Sequence, residues 1–113
     1  MSQYPEKTCH VDRLVRQPKL VAAALEGRKT QQRRDGIYGY PGENFILDGV
    51  AFEITGLVQQ RLGDMTDADV QAEGYASLDM YKNLIVRMHP GMIWDDEHPV
   101  WVHQFEKVLQ QAG

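Results

Sequence analysis

The spacing of hydrophobic positions changes several times along the chain, and each change marks an element. Leu20, Val21, Ala24 and Leu25 recur at helical spacing behind Pro18, whose missing N–H suits a first helical position. Gly27 follows as a residue that ends helices, so residues 18–26 are predicted to form a helix. The short mixed stretch 11–15 before it reads as an edge strand. Residues 31–34 read as a polar strand ended by Asp35-Gly36. The stretch 35–43, with three glycines, a proline and two tyrosines, reads as a loop. Residues 44–47 and 50–55 flank Asp48-Gly49, a dipeptide suited to a two-residue hairpin turn. Val50, Phe52 and Ile54 alternate with Ala51, Glu53 and Thr55, which gives one buried face and one wetter one. The second arm is expected to bend at Gly56 and continue through 57–61.

Farther on, Thr66 with Asp67 and Asp69 predicts a capped short helix over 67–73 that stops at Gly74. Ser77 is the cap of a second helix, whose Leu78, Tyr81, Leu84, Ile85 and Met88 share one face before His89-Pro90-Gly91 ends it. Residues 92–98 are irregular and acidic. Residues 99–107 alternate Val100 and Val102 against Trp101, His103 and Phe105, as a closing strand does. Strand, helix, strands, two helices and strand is neither a βαβ series nor an all-helical one. The expected fold class is α+β, a small mixed β-barrel with about three helices.

Composition bounds the function. A chain of 113 residues with 42% hydrophobic and 25% charged positions is expected to form one compact soluble domain spanning 1–113. Apolar runs such as 20–25 are far shorter than the ~20 residues of a membrane span, and no signal-peptide pattern opens the chain. With a lone Cys9, these features point to a cytoplasmic protein without disulfides. Residues 1–34 carry eight Lys and Arg against three Asp and Glu, whereas the remainder carries four against thirteen. With a pI near 5.5, broad duplex DNA binding is disfavoured, while a small basic pocket for an anion remains open beside the alternative of an ordinary solvated surface. Cys9, His10, His89, His98 and His103 show no metal-ligand spacing, and no glycine-rich phosphate cradle precedes a helix, so neither metal nor cofactor is expected.

Four segments, taken together, carry a resemblance. They are Gly27-Arg28-Lys29-Thr30-Gln31-Gln32-Arg33-Arg34, Tyr40-Pro41-Gly42-Glu43, Ala72-Glu73-Gly74-Tyr75 behind the Thr66-Asp67 cap, and Val100-Trp101-Val102-His103 through Phe105. Over about residues 11–108 the chain resembles the ASCH family, a branch of the PUA-like β-barrel superfamily. The resemblance implies a pseudo-barrel with a cleft between the GRKT segment and the AEG helix, and RNA or nucleoside ligands. One branch of the family hydrolyses N(4)-acetylcytidine with a lysine, a threonine three residues on and a glutamate. The matching positions here are Lys29, Gln32 and Glu73. Glutamine in place of threonine removes a hydroxyl, which favours binding without turnover or a different substrate. Another branch is linked to RNA cleavage, with no residues matched in this chain.

The candidate catalytic pair is therefore Lys29 and Glu73. Neighbouring cations and burial both favour a neutral lysine, which can act as nucleophile or base, while Glu73 exchanges protons. A plain ion pair closing the barrel is the alternative. The candidate ligand-binding residues are Arg28, Thr30, Gln32, Arg33, Arg34, Tyr40 and Tyr75. Strand alternation sends Lys29, Gln31 and Arg33 to one face and Thr30, Gln32 and Arg34 to the other, so only one of the two arginines is expected to face the cleft. Tyr38, Tyr40 and Tyr75 are candidates for stacking on a base. Three functions follow: a module binding single-stranded RNA or a nucleoside, a small hydrolase of a modified nucleoside, and a non-catalytic regulatory domain.

Overall fold

The structure is a computed structural model that describes residues 4–89, 91 and 93–108. A 3-10 turn at Val11–Arg13 precedes helix α1 (Pro18–Leu25), and strands β1 (Gln31–Arg34), β2 (Asn44–Leu47) and β3 (Val50–Arg61) follow. A second 3-10 turn at Leu62–Asp64 leads to helices α2 (Asp67–Glu73) and α3 (Leu78–Met88), and strand β4 (Pro99–Lys107) comes last. All pairings are antiparallel, in the order β1-β4-β3-β2. The last strand thus enters between the first and the third. This leaves β1 and β2 as edges, and the sheet curls into a half-barrel without closing.

The elements form where local chemistry marks them. Asp48 and Gly49 both hold positive φ, 53° and 83°, which is the turn geometry that joins β2 to β3. The β3–β4 register shifts between Ile54 and Gly56, where the long strand bends. Thr66 and Asp69 form a reciprocal capping box at the start of α2, with Thr66 Oγ1 accepting from Asp69 N and Asp69 Oδ2 from Thr66 N. Ser77 Oγ accepts from Met80 N and caps α3. That helix ends at Met88 with His89 as its cap; Pro90 and Met92 lie outside the described residues.

The core has two parts, one on each side of β4. Phe105 packs with Phe45, Phe52, Ile54 and Leu14 on one side, the three phenylalanine rings lying 5.4–5.8 Å apart. On the other side Val100 packs with Leu62, Met65, Val70 and Tyr81 beneath α2 and α3. The stretch 11–15 is not a strand. Val11, Leu14 and Val15 are all buried, and their spacing puts them on one side of a turn, which lets all three enter the core where an alternating strand would expose Leu14. The apolar stripe of α3 also loses cover along its length: Tyr81 is buried, Leu78 and Ile85 are half-buried, and Met88 is exposed. Among the described residues, no helix is long and apolar enough to cross a membrane.

Candidate functional site

The site is assembled where α1 hands over to β1 beneath the end of α2. Arg28 N and Lys29 N both donate to Ala23 O, which winds the chain out of α1. Thr30 N then donates to Ala72 O at 2.8 Å and Thr30 O accepts from Phe105 N at 3.0 Å, so one residue ties α2 to the sheet. Gly74 ends α2 with φ 105°, a conformation that strains any other residue. A Cβ there would lie 3.4 Å from Leu20 and 3.8 Å from the Lys29 Cβ, so α2 sits close upon this junction.

Lys29 and Glu73 meet. Both are 1% exposed, and the Lys29 ammonium donates to Gln31 O at 2.6 Å, to Glu73 O at 2.9 Å and to Glu73 Oε1 at 3.5 Å. It thereby satisfies a terminal carbonyl of α2 as well as the carboxylate. Burial pushes the Lys29 pKa down, to about 8; Glu73 pulls it up, and Arg34 and Arg33 lower it further. The other carboxylate oxygen, Glu73 Oε2, accepts from Arg33 Nη1 at 2.9 Å. Arg33 also donates to Gln31 Oε1 at 2.9 Å and, through Nε and Nη2, to Gln60 Oε1 at 3.0 and 2.9 Å, with Asp69 Oδ1 at 3.5 Å. This network joins β1, β3 and α2.

The opposite face of β1 carries Arg34 and Gln32. Arg34 lays its guanidinium 5.1 Å over the Tyr38 ring and donates to Leu14 O at 2.6 Å (Nη2) and 3.2 Å (Nε), and to Arg13 O at 3.3 Å. Its Nη1 has no hydrogen-bond partner among the described residues. Gln32 pairs across the sheet with His103, which is fully buried. Tyr38 N donates to His103 Nε2 at 3.0 Å, so the ring's proton sits on Nδ1 and is directed to Gln32 O and Trp101 O, each at 3.2 Å. Burial lowers the His103 pKa, opposed by those two backbone bonds.

A cleft of about 1070 Å³ wraps this free edge of β1. Its lining includes Arg16, Gln32, Arg33, Arg34 and Glu73 together with Tyr38, Tyr75, Tyr81, Ile85 and Met88. Both arginines of β1 border it, because a cleft around an edge strand meets both faces. Lys29 is not part of the lining; it lies behind Glu73 and Gln31. Thr30 is exposed outside the cleft. Arg28 is exposed, paired with Glu26 at 2.9 Å, and borders a separate hollow of about 430 Å³ beside Tyr75. Tyr40 is also elsewhere: its hydroxyl donates to Pro5 O at 2.7 Å and its ring contacts Tyr4. Arg16 and Gln60 belong to the site without any local pattern that marks them. Among the described residues, no three His, Cys, Asp or Glu side chains gather as metal ligands.

A half-barrel of four antiparallel strands, with the GRKT segment leading into its edge strand β1 and the end of α2 laid against that junction, has the fold of a solved ASCH domain. Among solved structures, the chain is similar to an ASCH domain from Lactobacillus crispatus JV V101, with a TM-score of 0.60 at 15% identity over 78% of this chain and 69% of that one. It is also similar to a protein from Enterococcus faecalis V583 assigned to the DUF984 family, with a TM-score of 0.58 at 19% identity over 80% of this chain and 67% of that one. A hypothetical protein gives a TM-score of 0.58 at 15% identity, covering 82% of this chain and 94% of the other. A scan against family models finds no match, and a search of curated proteins finds none.

Proposed function

We propose that this ASCH-fold domain binds a nucleoside or a short single-stranded RNA segment in the β1 cleft, without turnover. One observation carries the reading. Arg34, stacked on Tyr38, and Arg16, three residues after the Arg13 carbonyl that Arg34 engages, border the cleft with no carboxylate partner among the described residues. Cations free of acids beside the half-buried rings of Tyr38 and Tyr75 suit a phosphodiester with an unstacked base. The volume also suits a nucleoside, since small-molecule sites measure roughly 300–1,000 Å³.

The hydrolase alternative rests on Lys29 and Glu73, and the geometry around the amine argues for a positioning role. A nucleophilic amine needs a free lone pair and access to substrate. Lys29 has acceptors at all three ammonium positions and no exposed side-chain surface. Its contacts hold Glu73 and the start of β1 in place. The test is calorimetry with cytidine, N(4)-acetylcytidine and a short single-stranded RNA, with the acetyl methyl signal followed by NMR in the same samples. Binding of at least one ligand without acetate release is the expected result. Acetate release that Lys29→Ala abolishes would establish the hydrolase, and no heat with any ligand would refute binding.

A further inference from the structure

The carbonyl oxygen of the Gln32 side chain is buried and has no hydrogen-bond partner among the described residues. Gln32 is only 9% exposed and borders the cleft. A buried acceptor left unpaired is unfavourable, and native folds seldom keep one without a use. The orientation of the amide is determined by its neighbour: Nε2 donates to Arg33 O at 3.3 Å, and the reversed amide would set two oxygens against each other. The free group is therefore an acceptor. His103 Nδ1 is directed to the Gln32 and Trp101 backbone oxygens, and Arg34 on the same face of β1 donates to Leu14 O and Arg13 O and makes no bond to Oε1. The bond holding Nε2 is long by the standard of N–H···O bonds and restrains the amide only weakly.

We propose that Gln32 Oε1 is a specificity determinant that accepts an N–H from the ligand, so that the cleft selects nucleobases carrying an exocyclic amine. This rests on the nucleoside reading above and adds the class of base to it. The desolvation of Oε1 is already incurred in the free protein. A ligand amine recovers it, whereas a base with hydrogen at that position leaves the acceptor as it was. Arg34, on the same face two residues along β1, then meets the sugar-phosphate side of the same ligand.

The experiment compares matched nucleosides differing only in the amine: adenosine against purine riboside, and cytidine against pyrimidin-2-one riboside. Each is titrated into the full chain and into Gln32→Met, which keeps the side-chain length and removes the acceptor. In the pair that binds, the amine-bearing member is expected to bind about tenfold more tightly to the unaltered protein, the scale of one hydrogen bond to a group otherwise left unpaired. The preference is expected to vanish in Gln32→Met. Equal affinities in the unaltered protein, a comparison that needs no variant to fold, overturn the role of Gln32 while leaving the nucleoside reading intact. A preference that persists in Gln32→Met also overturns it. Absence of binding by all four nucleosides and by single-stranded RNA overturns both.

Discussion

Glu73 holds two buried cations at once, Lys29 through Oε1 and Arg33 through Oε2, and its backbone oxygen takes a further bond from Lys29. Replacing it by glutamine keeps the shape and removes the charge, leaving Lys29 and Arg33 buried with no full counterion beyond the half-exposed reach of Asp69. Glu73→Gln is expected to destabilise the fold by about 3–5 kcal/mol, measured by urea unfolding, because breaking a buried pair strands its partners. Arg16 is the opposite case. It is exposed, engages no acid among the described residues and borders the cleft. Arg16→Ala is expected to change stability by less than about 0.5 kcal/mol while weakening single-stranded RNA binding several-fold. A variant that loses stability but binds normally would assign Arg16 a structural role.

At the scale of elements, α2 governs the site. Its first turn is fastened by Thr66 and Asp69, and its last places Glu73 over β1. Thr66→Ala is expected to cost about 1 kcal/mol of stability and to increase hydrogen exchange at the Thr30 amide, which donates to Ala72. Unchanged exchange at Thr30 would separate the cap from the site. Elements bounded by such punctuation were legible in the sequence: Pro18 and Gly27 around α1, Asp48-Gly49 between β2 and β3, Thr66 and Gly74 around α2, and Ser77 before α3. The stretch 11–15 was not, because three apolar residues within five positions fit both a strand and a turn, and only packing against Phe45 and Phe105 decides. In the site, the resemblance of the GRKT and AEG segments suggested Lys29 and Glu73 as a pair but left open whether they share a cleft; they pair, with Lys29 behind Glu73 and outside the cleft lining. The partnership of Arg33 with Gln60 was not legible: 27 residues separate them, and a glutamine on an alternating strand carries no local signal. Nor did alternation along β1 show that both Arg33 and Arg34 would border one cleft, since that depends on β1 being an edge.

For the whole molecule, pH acts through two buried bases in the same direction but in different windows. His103 is held below its ordinary pKa by burial, so acidification through about 6.5 protonates the unfolded chain first, and stability is lost as pH falls. Protonation also removes the acceptor that Tyr38 N uses, and Tyr38 borders the cleft. Lys29 titrates at about 8 in the fold against roughly 10.4 when unfolded. Between those values the unfolded chain keeps the proton that the folded one releases, so this group adds stability as pH rises, by at most about 1.4 kcal/mol per unit. Urea midpoints at pH 8, 9 and 10 are expected to show that contribution in the unaltered protein and its absence in Lys29→Met; equal slopes would contradict the buried-amine account. Under the proposed function, the free β1 edge of the half-barrel and the cations without acid partners among the described residues put the ligand in the β1 cleft. The measurement that tests this most directly is an amide chemical-shift map of the labelled chain with a short single-stranded RNA. The account predicts shifts confined to residues 16–18, β1, the Tyr38 loop, the Gly74-Tyr75 segment and the exposed end of α3. Shifts centred on the β2–β3 hairpin, or none at saturating RNA, would contradict it.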